Sequence, residues 1–321
     1  MAVQGGSKRR LDTPPRCPQP SAVKRLGWAI LGVPLAAGPL AAQAPELALL
    51  WRVNGSVLTA PAPLQPGPIG VFWNPAAVQS VPGLALGLEV VHTPDVVSMS
   101  SLLAGVTYQV GSHLGVGISA GRISVSDLVR TSTSPGSEEG SIPVYAQFAG
   151  VAAGTAVGPV AVGAELRLHD VRLDTDNDHG LTADVGLQLR PIAGLTIGAA
   201  SQFATLNLAG GATAAYSAAA EYRVGAGHAL GGRAALLGRY GIELRANGDV
   251  EHFLSTGLAL GDRLRVDVAM QRADGYGTGA WQPVVGVEFR AGRYLVGVAR
   301  GSGMNGVGAT YRIGLNAGVL P

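Results

Sequence analysis

From residue 84 onward, apolar and polar residues alternate with a period of two. Between residues 160 and 169, for example, the even positions are apolar, whereas Glu165, Arg167 and His169 occupy odd positions. Alternation of this kind predicts β-strands that have one apolar and one polar face. Most of these stretches run for nine to thirteen residues. That is the length of a strand that crosses a membrane, whereas strands of soluble domains usually have about five or six residues.

The pattern predicts fourteen strands. One stretch, 229–246, keeps a single phase through Gly238-Arg239-Tyr240, and we therefore predict one long strand there rather than two strands joined by a turn. The predicted strands are 84–91, 102–110, 114–129, 143–156, 160–172, 181–190, 195–206, 214–224, 229–246, 250–260, 263–272, 281–290, 293–300 and 306–317. An even number of strands, joined alternately by longer loops and short turns, is typical of bacterial outer-membrane barrels. We predict an all-β fold, a 14-stranded antiparallel transmembrane barrel over residues 84–317, with both termini in the periplasm.

The first 44 residues have the pattern of an export signal. Lys24 and Arg25 precede an apolar stretch, 26–40, which ends in the small residues around Ala44. A basic region, an apolar region and a small-residue end predict a secretory signal peptide. The alternative is a membrane anchor, but prolines and glycines interrupt a stretch that is short for a spanning helix.

Removing this leader changes the charge of the protein. The whole chain has a formal charge of +2, whereas residues 45–321 contain 17 arginines and 20 acidic residues, a net charge of −3. The apparent basic excess therefore gives no support to nucleic-acid binding. The single cysteine, Cys17, lies in the leader, so no disulfide framework is expected in the exported protein. Aromatic residues make up only 5% of the chain, which disfavours the alternative of a soluble β-sandwich with a large apolar core.

A short motif precedes the first strand. Trp73-Asn74-Pro75-Ala76 follows Val71-Phe72, and Asn74 before proline is expected to be extended or in a turn. The stretch resembles the aromatic-Asn-Pro-Ala motif of the FadL-type outer-membrane transport proteins and their PorV/PorQ-like relatives. Asp184-Val185-Gly186 followed by Arg190-Pro191 is similar to a strand end common in the PorV-like group.

The resemblance implies a barrel with a small N-terminal hatch inside it, here residues 45–83. FadL-type members carry hydrophobic small molecules across the outer membrane, and PorV-like members act as partners in protein export and surface attachment. We therefore expect a passive channel or carrier in the bacterial outer membrane for small, hydrophobic solutes. The alternative is a non-transporting barrel that scaffolds or anchors a secreted protein. Outer-membrane lipid is the other expected partner.

Charged residues on the polar faces form the main candidate site. Their mixed signs favour ion pairs between strands, because a selectivity ring would need one sign at one depth; a role in permeation is the second possibility. The set comprises Glu165, Arg167, Asp184, Arg190, Glu243, Arg245, Arg263, Arg265, Asp267, Glu288 and Arg290.

Two further patterns bear on chemistry. Asp174, Asp176 and Asp178 are alternate carboxylates before a glycine, which suits calcium, although a solvated acidic loop has the same composition. Ser119 lies in a Gly-x-Ser-x-Gly pattern, but a hydrolase needs that serine between a strand and a helix, and here it lies within a predicted strand. We expect no enzyme activity and no cofactor.

Overall fold

The computed structural model describes residues 50–94, 98–111, 113–131, 138–205, 215–225, 234–245, 248–273, 280–302 and 308–318. The predicted leader and signal peptide, 1–44, lie outside these residues. No helix in the described part of the chain is long and apolar enough to cross a membrane.

Fourteen antiparallel strands close into a barrel, which confirms the predicted fold class. Closure comes from pairing of the first strand with the last, and two short strands form a separate hairpin between β3 and β6. The strands are β1 (Leu84–Thr93), β2 (Met99–Val110), β3 (Leu114–Val125), β4 (Val129–Thr131), β5 (Glu138–Ser141), β6 (Val144–Val157), β7 (Val160–Leu173), β8 (Asp176–Ile192), β9 (Leu195–Thr205), β10 (Ala215–Gly225), β11 (Ala234–Leu244), β12 (Val250–Leu260), β13 (Leu264–Ala273), β14 (Gln282–Ala291), β15 (Tyr294–Gly301) and β16 (Thr310–Gly318).

The two faces of each strand separate as the alternation predicts. On β7 the side chains of Leu166 and Leu168 are exposed on the outside of the barrel, whereas Glu165 and Arg167 are completely buried inside it. A closed antiparallel barrel leaves no backbone group unpaired in hydrocarbon, and an apolar exterior matches the lipid. This is the architecture of proteins that span the bacterial outer membrane.

Several strand limits differ from the prediction. β3 ends at Val125, and residues 129–131 belong to the separate hairpin. The expected loop at 173–180 is only a two-residue turn, because β7 and β8 continue pairing to Leu173 and Asp176. The ends of β7 and β8 lie outside the apolar band of the barrel. Residues there can be polar on both faces of the strand, so apolar and polar positions no longer alternate. β11 is one strand through Gly238-Arg239-Tyr240, as predicted, while the residues before 234 lie outside the described range.

Residues 50–80, here called the N-terminal segment, pack against the inner faces of the strands. The segment contains helix α1 (Arg52–Gly55), helix α2 (Gly67–Trp73) and two 3₁₀ turns at Ala62–Leu64 and Pro75–Gln79. All seven residues of α2 are buried. The turn at 75–79 contacts β3, β6, β7 and β8, and the turn at 62–64 contacts β9 and β10. The segment therefore lies within the lumen.

Inward-facing glycines make room for this segment. A Cβ atom at Gly105 on β2 would lie 2.6 Å from the Pro68 carbonyl oxygen, and one at Gly198 on β9 would lie 2.6 Å from the Pro63 carbonyl oxygen. A Cβ atom at Gly115 on β3 would lie 2.8 Å from the Val78 carbonyl oxygen. These separations are too short for a side chain next to rigid backbone, so the segment sits in a track of wall glycines.

We predict that Gly105→Ala destabilises the barrel by about 1–3 kcal/mol, because the added methyl group overpacks the contact with Pro68. The measurement is urea unfolding in detergent micelles, followed by tryptophan fluorescence. Gly314→Ala on β16 is the matched control, since a Cβ atom there meets nothing within 4 Å. Equal unfolding midpoints for the two variants would contradict the proposed track.

Candidate functional site in the barrel lumen

Asn74 joins three parts of the lumen. It is extended, with φ −155° and ψ 108°, as expected before proline. Its Oδ1 accepts a hydrogen bond from Ala76 N at 3.0 Å, while its Nδ2 donates to the Pro63 carbonyl at 2.7 Å and the Leu187 carbonyl at 3.2 Å. The side chain is completely buried. Neighbouring Pro75 and Ala76 approach Gly163 of β7 closely, so the whole motif lies against the wall.

Arg167 on β7 binds the segment through its backbone. The guanidinium donates to the Phe72 carbonyl at 2.7 Å and pairs with Glu165 at 2.5 Å and Asp184 at 2.6 Å. Gln202 on β9 donates to the same carbonyl at 3.0 Å. All three charged side chains are completely buried. A buried cation between two carboxylates is well compensated, whereas loss of the cation would leave two uncompensated charges.

Ser119 of β3 donates a hydrogen bond to Glu165 of β7 and so extends this network. The contact crosses the intervening strand β6, where Gly150 leaves the space open: a Cβ atom there would lie 2.6 Å from Glu165 Oε1. Ser119 lies within β3, as predicted from the sequence. The network is called the β7 network below: Ser119, Glu165, Arg167 and Asp184.

A second charged network lines the opposite part of the wall. Arg239 on β11 pairs with Glu221 at 2.5 Å and Asp267 at 2.8 Å, and Asp267 also accepts from Arg265 at 2.7 Å. Arg265 pairs in turn with Glu288 at 2.7 Å. This β11 network alternates in sign, as expected for ion pairing. The second possibility, a role in permeation, stays a prediction.

Further charges lie elsewhere in the barrel, among them Arg312, which pairs with Glu89 at 2.6 Å. Glu251 pairs with Arg52 of the segment and with Arg245, which also contacts Glu243 at 3.1 Å. Arg190, Arg263 and Arg290 are exposed at or beside the short turns. The alternation along their strands would direct these three side chains into the lumen. They lie where the barrel wall ends, however, and are therefore in solvent.

The three aspartates of the possible calcium site do not converge. Asp174 has a φ of 57°, a left-handed conformation that aspartate tolerates, and it pairs with Arg130 of the outer hairpin. Asp176 and Asp178 belong to the strand β8. Among the described residues, no group of three or more acidic, histidine or cysteine side chains could hold a metal ion. Calcium binding at this turn stays a prediction.

An aromatic cluster lies beside the β7 network. Trp51, Phe72 and Phe148 pack with ring centroids 5.1–5.3 Å apart, and the Arg167 guanidinium lies 4.7 Å from the Phe72 ring centroid. Phe203 joins them from β9, with its centroid 6.1 Å from that of Phe72. Arranged in this way, rings and cation attract one another beyond simple area burial.

The role of Phe203 could not be read from the alternation. The β8–β9 pairing shifts between Ala183 and Val185, and Phe203 has a φ of 57°. Asp184 Oδ1 accepts a hydrogen bond from Phe203 N at 2.7 Å. This irregularity places both Gln202 and Phe203 inside the barrel, which is a common consequence of a β-bulge. The alternation likewise gives no sign of the glutamines that hold the segment, because an uncharged amide is equally common in a lumen and in a loop.

Similarity to other proteins is confined to the fold. No protein-family model and no curated protein sequence matches this chain. A FadL homologue from Pseudomonas aeruginosa shows 9% identity and a TM-score of 0.50, over 80% of this chain and 96% of that chain. The Acinetobacter baumannii outer membrane protein Omp33 shows 11% identity and a TM-score of 0.45, over 74% of this chain and 96% of that chain. A mutant of TodX, a monoaromatic hydrocarbon channel, shows 11% identity and a TM-score of 0.46, over 76% of this chain and 91% of that chain.

We predict that Arg167→Met lowers the free energy of unfolding by about 3–5 kcal/mol, since Glu165 and Asp184 would remain buried without a cation. Urea unfolding in micelles measures this change. Arg190→Met is the control, because an exposed arginine should contribute less than about 0.5 kcal/mol. A similar effect of both substitutions would show that the β7 network adds nothing specific.

Asn74→Ala and Asn74→Asp should separate the two functions of this side chain. Alanine removes all three hydrogen bonds of the Asn74 side chain. Aspartate can still accept the hydrogen bond from Ala76 N, but it cannot donate to the Pro63 and Leu187 carbonyls. We expect alanine to be destabilised by about 1–3 kcal/mol, with aspartate at least as unstable because its charge is buried without a cation. Limited proteolysis within 50–80 should be faster in both. Unchanged proteolysis would show that Asn74 does not hold the segment.

Proposed function

We propose that this chain is an outer-membrane channel or carrier for small, hydrophobic molecules, with the N-terminal segment as its hatch. The observation that carries the proposal is the large aromatic cluster inside a lumen whose walls also hold charged networks. Four of the five phenylalanines of the chain, Phe72, Phe148, Phe203 and Phe253, belong to it or pack against it. A lumen that only conducted water and ions would have no need for such a surface.

Part of the cluster lies toward one end of the barrel. Met99 is the first residue of β2, and Phe253 is near the beginning of β12, so both lie beside the longer connections. Together with Phe203 they are only partly buried while packing against the buried core. Outer-membrane barrels carry their longer loops on the outer side. An apolar solute arriving from outside would meet this surface first.

The segment would have to move, or leave a narrow path, for a solute to pass. Both halves of the segment fit closely against the wall. Residues 67–80 lie against glycines and bury the Asn74 motif, and a Cβ atom at Gly286 or Gly301 would likewise lie within 3.0 Å of Thr59 or Ser56. Arg52 also pairs with Glu251, and Gln271 donates to the Gly55 carbonyl at 2.9 Å. Movement of the hatch would therefore have to break contacts in both halves of the segment.

A second candidate function is a non-transporting, PorV-like barrel that scaffolds or anchors a secreted protein. The observation that favours it is the extent of the segment's attachment, which reaches β1–β3, β6–β10, β12 and β13. A permanently filled lumen would suit a structural role. The two functions differ in whether any solute crosses the protein.

Uptake by whole cells should distinguish the two functions. Cells that carry the protein are expected to take up a small apolar aromatic solute faster than vector-only cells, and the rate should drop several-fold in Phe253→Gln, because an amide replaces an apolar contact. Phe253→Leu should retain most of the uptake. Phe289→Gln, on the outer face of β14, is the matched control.

Removal of residues 45–83 should raise planar-bilayer conductance and the uptake of a pentose, provided that the shortened protein still shows the heat-dependent gel mobility of a folded barrel. If neither the whole protein nor the shortened form conducts ions or transports either solute, the channel proposal is wrong. In that case the scaffold function is the one that remains.

A further inference from the structure

A row of polar side chains crosses the outer face of the barrel. Arg122 of β3, Gln147 of β6, Asp170 of β7 and His179 of β8 are direct neighbours in the strand pairing. All four occupy positions that face lipid or headgroups, because the residues next to them in each strand point into the lumen. The four residues make three consecutive polar pairs, directly above the apolar part of the outer face.

The row is connected by hydrogen bonds. Arg122 Nη1 donates to Gln147 Oε1 at 3.3 Å, Gln147 Nε2 donates to Asp170 Oδ2 at 2.7 Å, and His179 Nδ1 lies 3.1 Å from Asp170 Oδ1. The Arg122 guanidinium also lies 4.3 Å from the ring centroid of Tyr145. These contacts orient the arginine, while its side chain stays exposed and most of its five N–H groups stay available to an anion.

A groove of about 770 Å³ lies directly below the row. Its floor is formed by Ala104, Ala120 and Ala149, which are neighbours on β2, β3 and β6. Leu168 and Leu181 bound one side. Next along the strands, Ile118 and Val151 are strongly exposed, so the three alanines form a hollow in the apolar wall. A hollow of this kind accepts a hydrocarbon chain.

The position of the row agrees with a membrane boundary. Arg122 is three residues before the end of β3, and Asp170 is three residues before the end of β7, at the barrel end that carries the longer connections. The apolar band begins immediately below. Headgroups of the adjoining leaflet therefore lie at the level of the row, and acyl chains lie at the level of the groove.

We propose that this surface is a binding site for a phosphate-headed membrane lipid. The phosphate binds the exposed Arg122 guanidinium, and one acyl chain occupies the alanine-floored groove. Asp170 has no role in binding the anion; its oxygens accept from Gln147 and pair with His179, so they hold the row in place. The site is on the outside of the barrel and does not depend on solute transport through the lumen.

Native mass spectrometry of the purified full-length protein tests the proposal, with palmitoyl-oleoyl phosphatidylglycerol as the added lipid. We expect one retained lipid per barrel. Arg122→Gln should weaken retention about tenfold, the effect of losing one charge-assisted bond of about 1.4 kcal/mol. Arg300→Gln, an exposed arginine of β15 outside the groove, is the matched control and should retain the lipid.

A separate substitution tests the groove that binds the acyl chain. Ala120→Trp fills the groove without altering any charge, and it should also weaken retention several-fold. Palmitoyl-oleoyl glycerol, which has no phosphate, should be retained poorly by the native protein. Equal retention of phosphatidylglycerol by the native protein and both groove variants would overturn the proposal, as would equal loss with Arg300→Gln. Loss with Arg122→Gln but not with Ala120→Trp would overturn the assignment of the groove.

Discussion

Backbone groups in hydrocarbon cannot be left unpaired, and the rest of this structure depends on how the chain meets that requirement. β1 pairs with β16 over eight residue pairs, from Ala85–Gly318 to His92–Tyr311. The closed ring removes both sheet edges. Closure also gives each strand one face toward lipid and one toward a narrow interior. Every later feature, from the apolar exterior to the charged lumen, follows from that division.

A narrow interior must be filled or hydrated, and here the N-terminal segment fills it. The wall has glycine at positions where the backbone of the segment passes close to a strand, as at Gly105 and Gly198. The segment's carbonyl groups would otherwise be buried without donors, which costs free energy. Arg167 and Gln202 satisfy the Phe72 carbonyl, and Gln271 satisfies the Gly55 carbonyl. Wall and segment therefore compensate for each other's polar groups.

Glycine has a second function in the charged networks. Arg239 and Asp267 are on β11 and β13, with β12 between them, and Gly257 of β12 leaves the space in which they meet. Gly150 does the same for Ser119 and Glu165 across β6. Charges two strands apart can thus pair directly, which gives the compact β7 and β11 networks, and the aromatic cluster packs beside the first of them. This arrangement is the physical basis for a barrel that combines charged walls with an apolar site.

The sequence by itself determined the strand number, the closed architecture and the phase of each strand, because alternation records which residues face lipid. The alternation also predicted correctly that β11 continues as one strand through Gly238-Arg239-Tyr240. It could not place the ends of β7 and β8, since no lipid acts on residues beyond the apolar band. Only the tertiary structure decided that Phe203 turns inward, that Arg239 reaches Asp267, and that Ala104, Ala120 and Ala149 form the floor of one groove. Those relations depend on register and bulges between strands, and a period of two within one strand contains no record of its neighbours.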